Sequence, residues 1–171
     1  AMTLRLTTLI VFGLLIGGCT FSAPQFEAGI RFVERVASGM SETAQEPRAT
    51  WLASVGDRGA VLNPYSSSGL TVFANVDGDA IAFDGWTIRS ITGFGLSSPV
   101  SVTGKDGARV FVYGGRQSIT DCDAWTRSGS NWEQVCANGN GQITLDNTGN
   151  IQSITMALSN KLGIVTLRVA K

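Results

Sequence analysis

The chain has 171 residues, in which 13 Lys and Arg balance 13 Asp and Glu. Such a near-neutral chain lacks the basic surface that nucleic acid requires, so nucleic acid is excluded as an expected partner. The sequence contains no histidine, the side chain that most often acts as a general base near neutral pH, so we do not expect an enzyme.

The N-terminus carries the features of a signal peptide. Arg5 supplies a positive charge, and residues 6–16 form an apolar stretch that is too short for a typical membrane span. Residues 15–18 (Leu-Ile-Gly-Gly) precede Cys19 and resemble a bacterial lipobox. That resemblance implies cleavage after residue 18, a diacylglycerol thioether on Cys19 and an acyl chain on its new amino group. An ordinary secretory signal and an uncleaved anchor are the alternatives.

These features predict a domain organisation and a location. Residues 1–18 are the signal peptide, 19–24 a tether and 25–171 a single domain. Lipid chains on Cys19 would hold the protein on a membrane. Thr20, in place of an aspartate, resembles the enterobacterial pattern that directs lipoproteins to the periplasmic face of the outer membrane.

An amphipathic helix is predicted over residues 25–38, because apolar side chains recur there at helical spacing (Phe26, Ile30, Val33 and Ala37). Pro24 near its start and Gly39 just beyond its end fit the usual helix boundaries. Its polar face mixes both charges, so we expect it to cap the domain. The alternative is that it lies on the bilayer.

From residue 49 onward, short β-rich segments alternate with turn residues. The predicted strands are residues 50–55, 59–63, 70–76, 80–83, 86–92, 100–102, 109–113, 118–126, 132–137, 142–145, 151–157 and 163–169. About ten strands in hairpin order predict a mainly β fold, an antiparallel β-sandwich or barrel with the one N-terminal helix.

Lipidation of Cys19 would leave two cysteines in an oxidising compartment, Cys122 and Cys136. They lie symmetrically about Gly129, so a hairpin centred there would place them opposite each other at disulfide distance. Two buried free thiols are the alternative. A metal site is disfavoured because there is no histidine to complete one.

Three carboxylates, Asp121, Asp123 and Glu133, could converge across the same hairpin, in a loose similarity to a glycosidase pair. Acidic residues on the solvated side of a hairpin are common, and we favour that interpretation. The segment 75–79 is similar to a calcium loop but lacks the glutamate that such a loop requires. We interpret it, and also 138–141 and 146–150, as turns, and we expect neither a metal nor a cofactor.

Four aromatic residues could stack on sugar rings or contact a partner: Trp86, Tyr113, Trp125 and Trp132. Their apolar faces and polar edges suit carbohydrate. Packing in the core is the alternative for each of them.

The chain also resembles the YjbF family of lipoproteins, which includes capsule-associated members. The resemblance is carried by residues 62–64 (Leu-Asn-Pro), by 84–88 leading into 91–96, and by 145–153, with Cys122 and Cys136 at positions that suit the family's cysteine pair. It implies a β-rich, non-enzymatic accessory lipoprotein in exopolysaccharide or capsule assembly or export, with a polysaccharide or an export protein as partner. A periplasmic enzyme inhibitor or small-ligand carrier is the alternative function. The oligomeric state is left open.

Overall fold

The computed structural model describes residues 49–104, 106–159 and 161–171. Cys19, the tether and the predicted helix over 25–38 lie outside the described residues. Within them there is no helix, and thirteen strands form. These are β1 (Trp51–Val55), β2 (Arg58–Ser67), β3 (Leu70–Ala74), β4 (Ala80–Phe83), β5 (Ile88–Thr92), β6 (Val100–Thr103), β7 (Gly107–Tyr113), β8 (Arg116–Cys122), β9 (Thr126–Ser128), β10 (Asn131–Gln134), β11 (Gly141–Leu145), β12 (Ile151–Ser159) and β13 (Gly163–Val169).

All thirteen strands belong to one antiparallel sheet that curls into a half-barrel. Each strand pairs with the next strand in sequence except β8, which does not pair with β9. One further pairing, between β1 and β13, joins strands that are distant along the chain. The order is β8-β7-β6-β5-β4-β3-β2-β1-β13-β12-β11-β10-β9. The predicted mainly β, antiparallel fold is confirmed, with more strands than the sequence indicated.

The long strand β2 joins the two halves of the sheet. Its first part, up to Leu62, pairs with β1, and its second part, from Asn63, pairs with β3. Pro64, opposite Phe73 in this second part, has no N–H to give to a ladder. We call this strand the β2 junction, β3–β8 the early half and β9–β13 with β1 the late half.

The free ends of the two halves meet at the cysteines. Cys122, which ends β8, forms an isolated antiparallel bridge with Cys136, and a disulfide joins the two. Two backbone hydrogen bonds flank it, from the N–H of Asp123 to the carbonyl of Val135 (2.8 Å) and from the N–H of Ala137 to the carbonyl of Asp121 (2.9 Å). We call this contact the cysteine junction.

The predicted cysteine pairing is present, and a hairpin turns at Gly129 and Ser130 between β9 and β10, but its register differs by one residue from the predicted one. The β9–β10 register places Asn131 opposite Ser128, which would bring Cys122 opposite Ala137 if the ladder ran on. Residues 123–125 instead leave the ladder, so the predicted strand 118–126 is two strands. This interruption shifts the pairing by one residue and lets the cysteines meet.

Side chains from both halves fill the space inside the curl. The largest hydrophobic cluster takes members from nearly every strand and includes Leu62, Ile81, Ile91, Ile154 and Leu167, none more than 1% exposed. Burial of such a side chain contributes about 1.5–3 kcal/mol. The two halves therefore share one core, although among the described residues their backbones pair only at the two junctions.

The loops 75–79 and 146–150 are turns, as predicted, whereas 138–141 covers the end of the β10–β11 connection and the first residue of β11. In the β3–β4 connection the Asn75 side chain accepts the N–H groups of Asp77 and Asp79, each at 3.0 Å. In the β11–β12 connection the Asp146 carboxylate accepts the N–H groups of Thr148 (2.8 Å) and Asn150 (2.9 Å). Across the part of the chain that the structure describes, no helix has the length and apolar character needed to cross a bilayer.

Candidate functional site

Three of the four predicted contact residues come together as a tryptophan cluster, defined by Trp86, Trp125 and Trp132. The ring centroid of Trp86 lies 4.9 Å from that of Trp132, nearly edge-on, and 5.9 Å from that of Trp125. All three side chains are half-buried against the core. Among the described residues, no ring contact joins Tyr113 to them, and its hydroxyl lies 3.0 Å from that of Ser97.

Trp86 lies in the loop between β4 and β5, and not in the strand predicted over residues 86–92. Side-chain hydrogen bonds hold this loop in place. The Asp84 carboxylate accepts the backbone N–H groups of Trp86 (2.9 Å) and Thr87 (2.6 Å). The other oxygen of Asp84 accepts a hydrogen bond from Nε of Arg89 at 2.7 Å. Arg89 also donates a hydrogen bond to the carbonyl of Gly104 at 3.3 Å. The early half therefore fixes the position of this indole through an Asx turn and an ion pair.

Trp125 and Trp132 belong to the late half. Trp125 lies in the interruption after β8, and a Cβ placed on Gly141 would come within 3.0 Å of its ring. Trp132 lies in β10 opposite Arg127, whose guanidinium carbon is 5.9 Å from the Trp132 ring centroid. The cluster thus spans the two halves, with an exposed cation at its edge.

A buried polar contact near this cluster was not predicted from the sequence. Arg109, on β7, is 1% exposed, and its guanidinium donates to the Gln134 side-chain oxygen. Gln134 in turn donates to the carbonyl of Asp123 at 2.7 Å. Burial lowers the pKa of Arg109, and the nearby cation Arg89 lowers it further. Alternation with Phe111 on β7 was the available signal, since it places Arg109 on the inward face.

A second polar contact crosses the cysteine junction. The hydroxyl of Thr120, on β8, donates to the Asn138 side-chain oxygen at 3.1 Å. The Asn138 amide donates to the carbonyl of Leu158 on β12. The junction is therefore closed by a disulfide, two backbone hydrogen bonds and two chains of side-chain contacts.

A solvent-open apolar cavity of about 350 Å³ lies between the two halves. The late half contributes Trp51, Ile151 and Ile154, and the early half contributes Phe73 and Phe83. Gly85, the residue before Trp86, also lines it. The cavity could not be predicted from the sequence, because its walls come from strands that are distant along the chain.

The three carboxylates considered for catalysis, Asp121, Asp123 and Glu133, are all exposed. Glu133 accepts a long hydrogen bond of 3.5 Å from Gln142. Their exposure agrees with the solvated interpretation of this hairpin. Among the described residues, no three His, Cys, Asp or Glu side chains are placed to hold a metal ion.

Comparison with known proteins is informative at the level of the fold. No family model and no curated protein matches the chain. Among solved structures, its backbone is similar to that of a bacterial lipoprotein. This is the hypothetical lipoprotein YmcC from Escherichia coli (K12), with a TM-score of 0.50 and 12% sequence identity over 89% of this chain and 94% of the other. At this identity the likeness shows a shared fold.

Proposed function

We propose that the protein is a lipoprotein anchored through Cys19 to the periplasmic face of the outer membrane, where it serves as a non-enzymatic accessory factor in exopolysaccharide or capsule assembly or export. One observation carries the proposal. A lipobox-like sequence precedes a domain whose fold is shared with a solved lipoprotein over most of both chains. The resemblance of residues 62–64, 84–96 and 145–153 to the YjbF family supplies the polysaccharide role.

The tryptophan cluster is the proposed contact surface for glycan or for an export protein. Indole faces stack on the apolar faces of sugar rings. The indole N–H of Trp125 is buried, so stacking is the contact that this residue offers. The Asp84–Arg89 ion pair (2.7 Å) holds Trp86 in place before a ligand arrives, which lowers the ordering cost of binding. Arg127 beside Trp132 adds a positive charge suited to an acidic sugar.

Lipidation is tested by mass spectrometry of the protein isolated from its native envelope. We expect cleavage after residue 18 with a diacylglycerol thioether and an amide-linked acyl chain on Cys19, and recovery in the outer-membrane fraction. Cys19→Ala is the matched control and should be released from the membrane. An unmodified Cys19 in the wild-type protein would refute the anchor.

The polysaccharide role is tested by deleting the gene and measuring exported polysaccharide. We expect a loss that the wild-type chain restores and that Trp86→Ala with Trp132→Ala does not restore. Asp121→Asn with Asp123→Asn is the control for catalysis and should restore export fully. Failure of that control would favour a hydrolase, and unchanged polysaccharide in the deletion strain would remove the proposed role.

The apolar cavity favours a second candidate function, a small-ligand carrier. Its volume lies near the lower end of the range of about 300–1,000 Å³ for small-molecule pockets. The related alternative, an inhibitor of a periplasmic hydrolase, would be detected as a stable complex with the hydrolase and no polysaccharide phenotype.

A further inference from the structure

One end of the sheet is protected against further strand pairing, and the other is not. The terminal strand of the late half is β9, which has three exposed polar residues, one of them a cation. Short strands and charges are the usual means by which proteins keep an edge strand from pairing. The terminal strand of the early half is β8, which has seven residues, and every residue of its stretch 116–119 is exposed. We call this stretch the β8 edge.

The cysteine junction shows which backbone groups of β8 point away from β7. The carbonyl of Asp121 and the N–H of Asp123 both bond to the chain on either side of Cys136. Backbone groups alternate between the two sides of an antiparallel strand, and the β7–β8 register has no shift. Gln117 and Ile119 therefore direct their N–H and C=O groups to the same open side. Among the described residues, no hydrogen bond reaches these groups, so the β8 edge offers two donors and two acceptors to an added strand.

The outward side chains at the β8 edge are partly apolar. Ile119 is 63% exposed, more than any other large hydrophobic side chain in the described strands. It lies opposite Val110 on β7, and Val112 on the same face is 38% exposed. Side chains that lie opposite each other on neighbouring strands are in contact. An added strand would therefore cover Ile119 as well as pair with the backbone of β8.

The charges on this outward face are negative. Asp121, Asp123 and Glu133 are exposed, and each is next to a buried residue in the sequence, which places them on the outward face. The outward residues of β6, β7 and β8 that the structure describes include no cation. Arg116, the cation of β8, alternates onto the opposite face. A basic partner is therefore complementary in charge to this face.

We propose that the β8 edge binds an extended segment of a partner protein that carries basic residues, and that this segment joins the sheet as an additional strand. Backbone hydrogen bonds supply the affinity in this mode of recognition, and the side chains beside the edge supply the selectivity. Here Ile119 selects an apolar residue, and the carboxylates select basic residues near it. The inference concerns the β8 edge alone and is independent of the tryptophan cluster and of the proposed polysaccharide role.

The probe is an acetylated and amidated peptide, Lys-Thr-Val-Thr-Lys-Thr, whose lysines and valine share one face of a strand. It is added to the isotope-labelled full chain after residue 18, with Cys19→Ala to remove the anchor, and binding is followed by NMR. We expect saturable shifts and slower amide exchange at Gln117 and Ile119. The same peptide N-methylated at its valine and lysines lacks the N–H groups needed for pairing and should not bind. Equal binding of this control would overturn the proposal.

Two variants at exposed isoleucines locate the site. Ile119→Lys should weaken peptide binding about three- to tenfold, because an apolar contact is lost and a like charge faces the lysines of the peptide. Ile164→Lys makes the same change on β13, at a side chain that is 55% exposed, and should leave binding unchanged. Asp121→Asn should weaken binding about two- to fivefold and reduce its salt dependence, as expected for an exposed charge pair. Equal affinity of the two lysine variants would refute the site.

The same chain without peptide separates a partner protein from other occupants of the β8 edge. We expect sedimentation to show a monomer, with rapid exchange of the Gln117 and Ile119 amides. A dimer that Ile119→Lys abolishes would overturn the proposal and give the edge to a second copy of the chain. Slow exchange of these amides in the monomer would also overturn it, because another segment of this chain would then already pair with β8.

Discussion

The two halves of the sheet meet at the β2 junction and at the cysteine junction, and the two are built differently. At the β2 junction a single strand pairs with β1 through its first five residues and with β3 through its last five. At the cysteine junction one bridge, a disulfide and side-chain hydrogen bonds make the contact. The first junction is regular backbone, and the second depends on a few individual side chains.

The irregular junction is also where the candidate contact residues gather. Trp125 lies in the interruption that follows β8, and Trp132 lies in the strand that supplies Gln134 to the buried Arg109. A continuous ladder would have left no room for an indole between β8 and β9. The loss of regular strand pairing at the cysteine junction therefore makes room for the candidate contact residues. It also leaves this junction dependent on a few side chains, so that single substitutions can weaken it.

The largest expected effect is at the β2 junction. Leu62→Ala removes a side chain that is 0% exposed and should lower the free energy of unfolding by about 3–5 kcal/mol, through lost burial and a residual cavity. Denaturant titration measures it. The loss should be the same with and without a reducing agent, and a strong dependence on reduction would show that the junctions are not independent.

The double variant Cys122→Ser with Cys136→Ser removes the disulfide of the cysteine junction. The bridge spans 14 residues, so its loss should lower the free energy of unfolding by about 3 kcal/mol, chiefly by freeing the unfolded chain. The wild-type protein in reductant is the control and should unfold at the same denaturant concentration. Unchanged stability would mean that the side-chain contacts suffice.

Gln134→Leu leaves the Arg109 guanidinium buried without its side-chain acceptor. We expect a loss of about 1.5–3 kcal/mol, typical of a hydrogen bond to a charged group. Arg109→Met combined with Gln134→Leu is the matched control and should recover part of the loss, because no buried charge is left unpaired. A double variant less stable than Gln134→Leu would contradict this account.

Gly141→Ala tests the tryptophan cluster with a smaller change. The added Cβ would lie 3.0 Å from the Trp125 ring, so the ring must shift, at an expected cost of about 1–2 kcal/mol. Near-ultraviolet circular dichroism should change with it. Gly59→Ala is the matched control, because neither glycine has a positive φ and a Cβ on Gly59 would meet only the Ala53 carbonyl oxygen, at an ordinary 3.7 Å. An unchanged aromatic signal in Gly141→Ala would contradict the contact.

The smallest expected effect lies away from both junctions. Hydrogen bonds from Thr148 and Asn150 hold the pKa of Asp146 at about 2, below its usual value. A depressed carboxyl pKa stabilises the folded state above the unfolded pKa, and that contribution is lost as pH falls from about 4 toward 2. Asp146→Asn should flatten this part of the stability profile, as measured by thermal unfolding across pH. An identical slope in both proteins would exclude the turn as its source.

Local signals in the sequence located most of the strands and turns. Alternation placed β1 and β13 almost to the residue, because inward side chains recur every second position. A continuous apolar run between two turns placed β4, whose four residues are all buried. Turns such as Asp77–Gly78 were predictable because their residues bond their own backbone or accept a positive φ. The cysteine pairing could also be predicted, although from a hairpin register that differs by one residue.

Other features depended on contacts between distant parts of the chain. The sequence alone determined a mainly β, antiparallel domain with a lipobox-like leader, a cysteine pair and four candidate aromatic residues. Only the tertiary structure decided that Trp86 meets Trp125 and Trp132 while Tyr113 does not, that Arg109 is buried against Gln134, and that a cavity lies between the halves. The reason is physical: alternation reports which face a residue occupies, whereas curling of the sheet decides which faces meet.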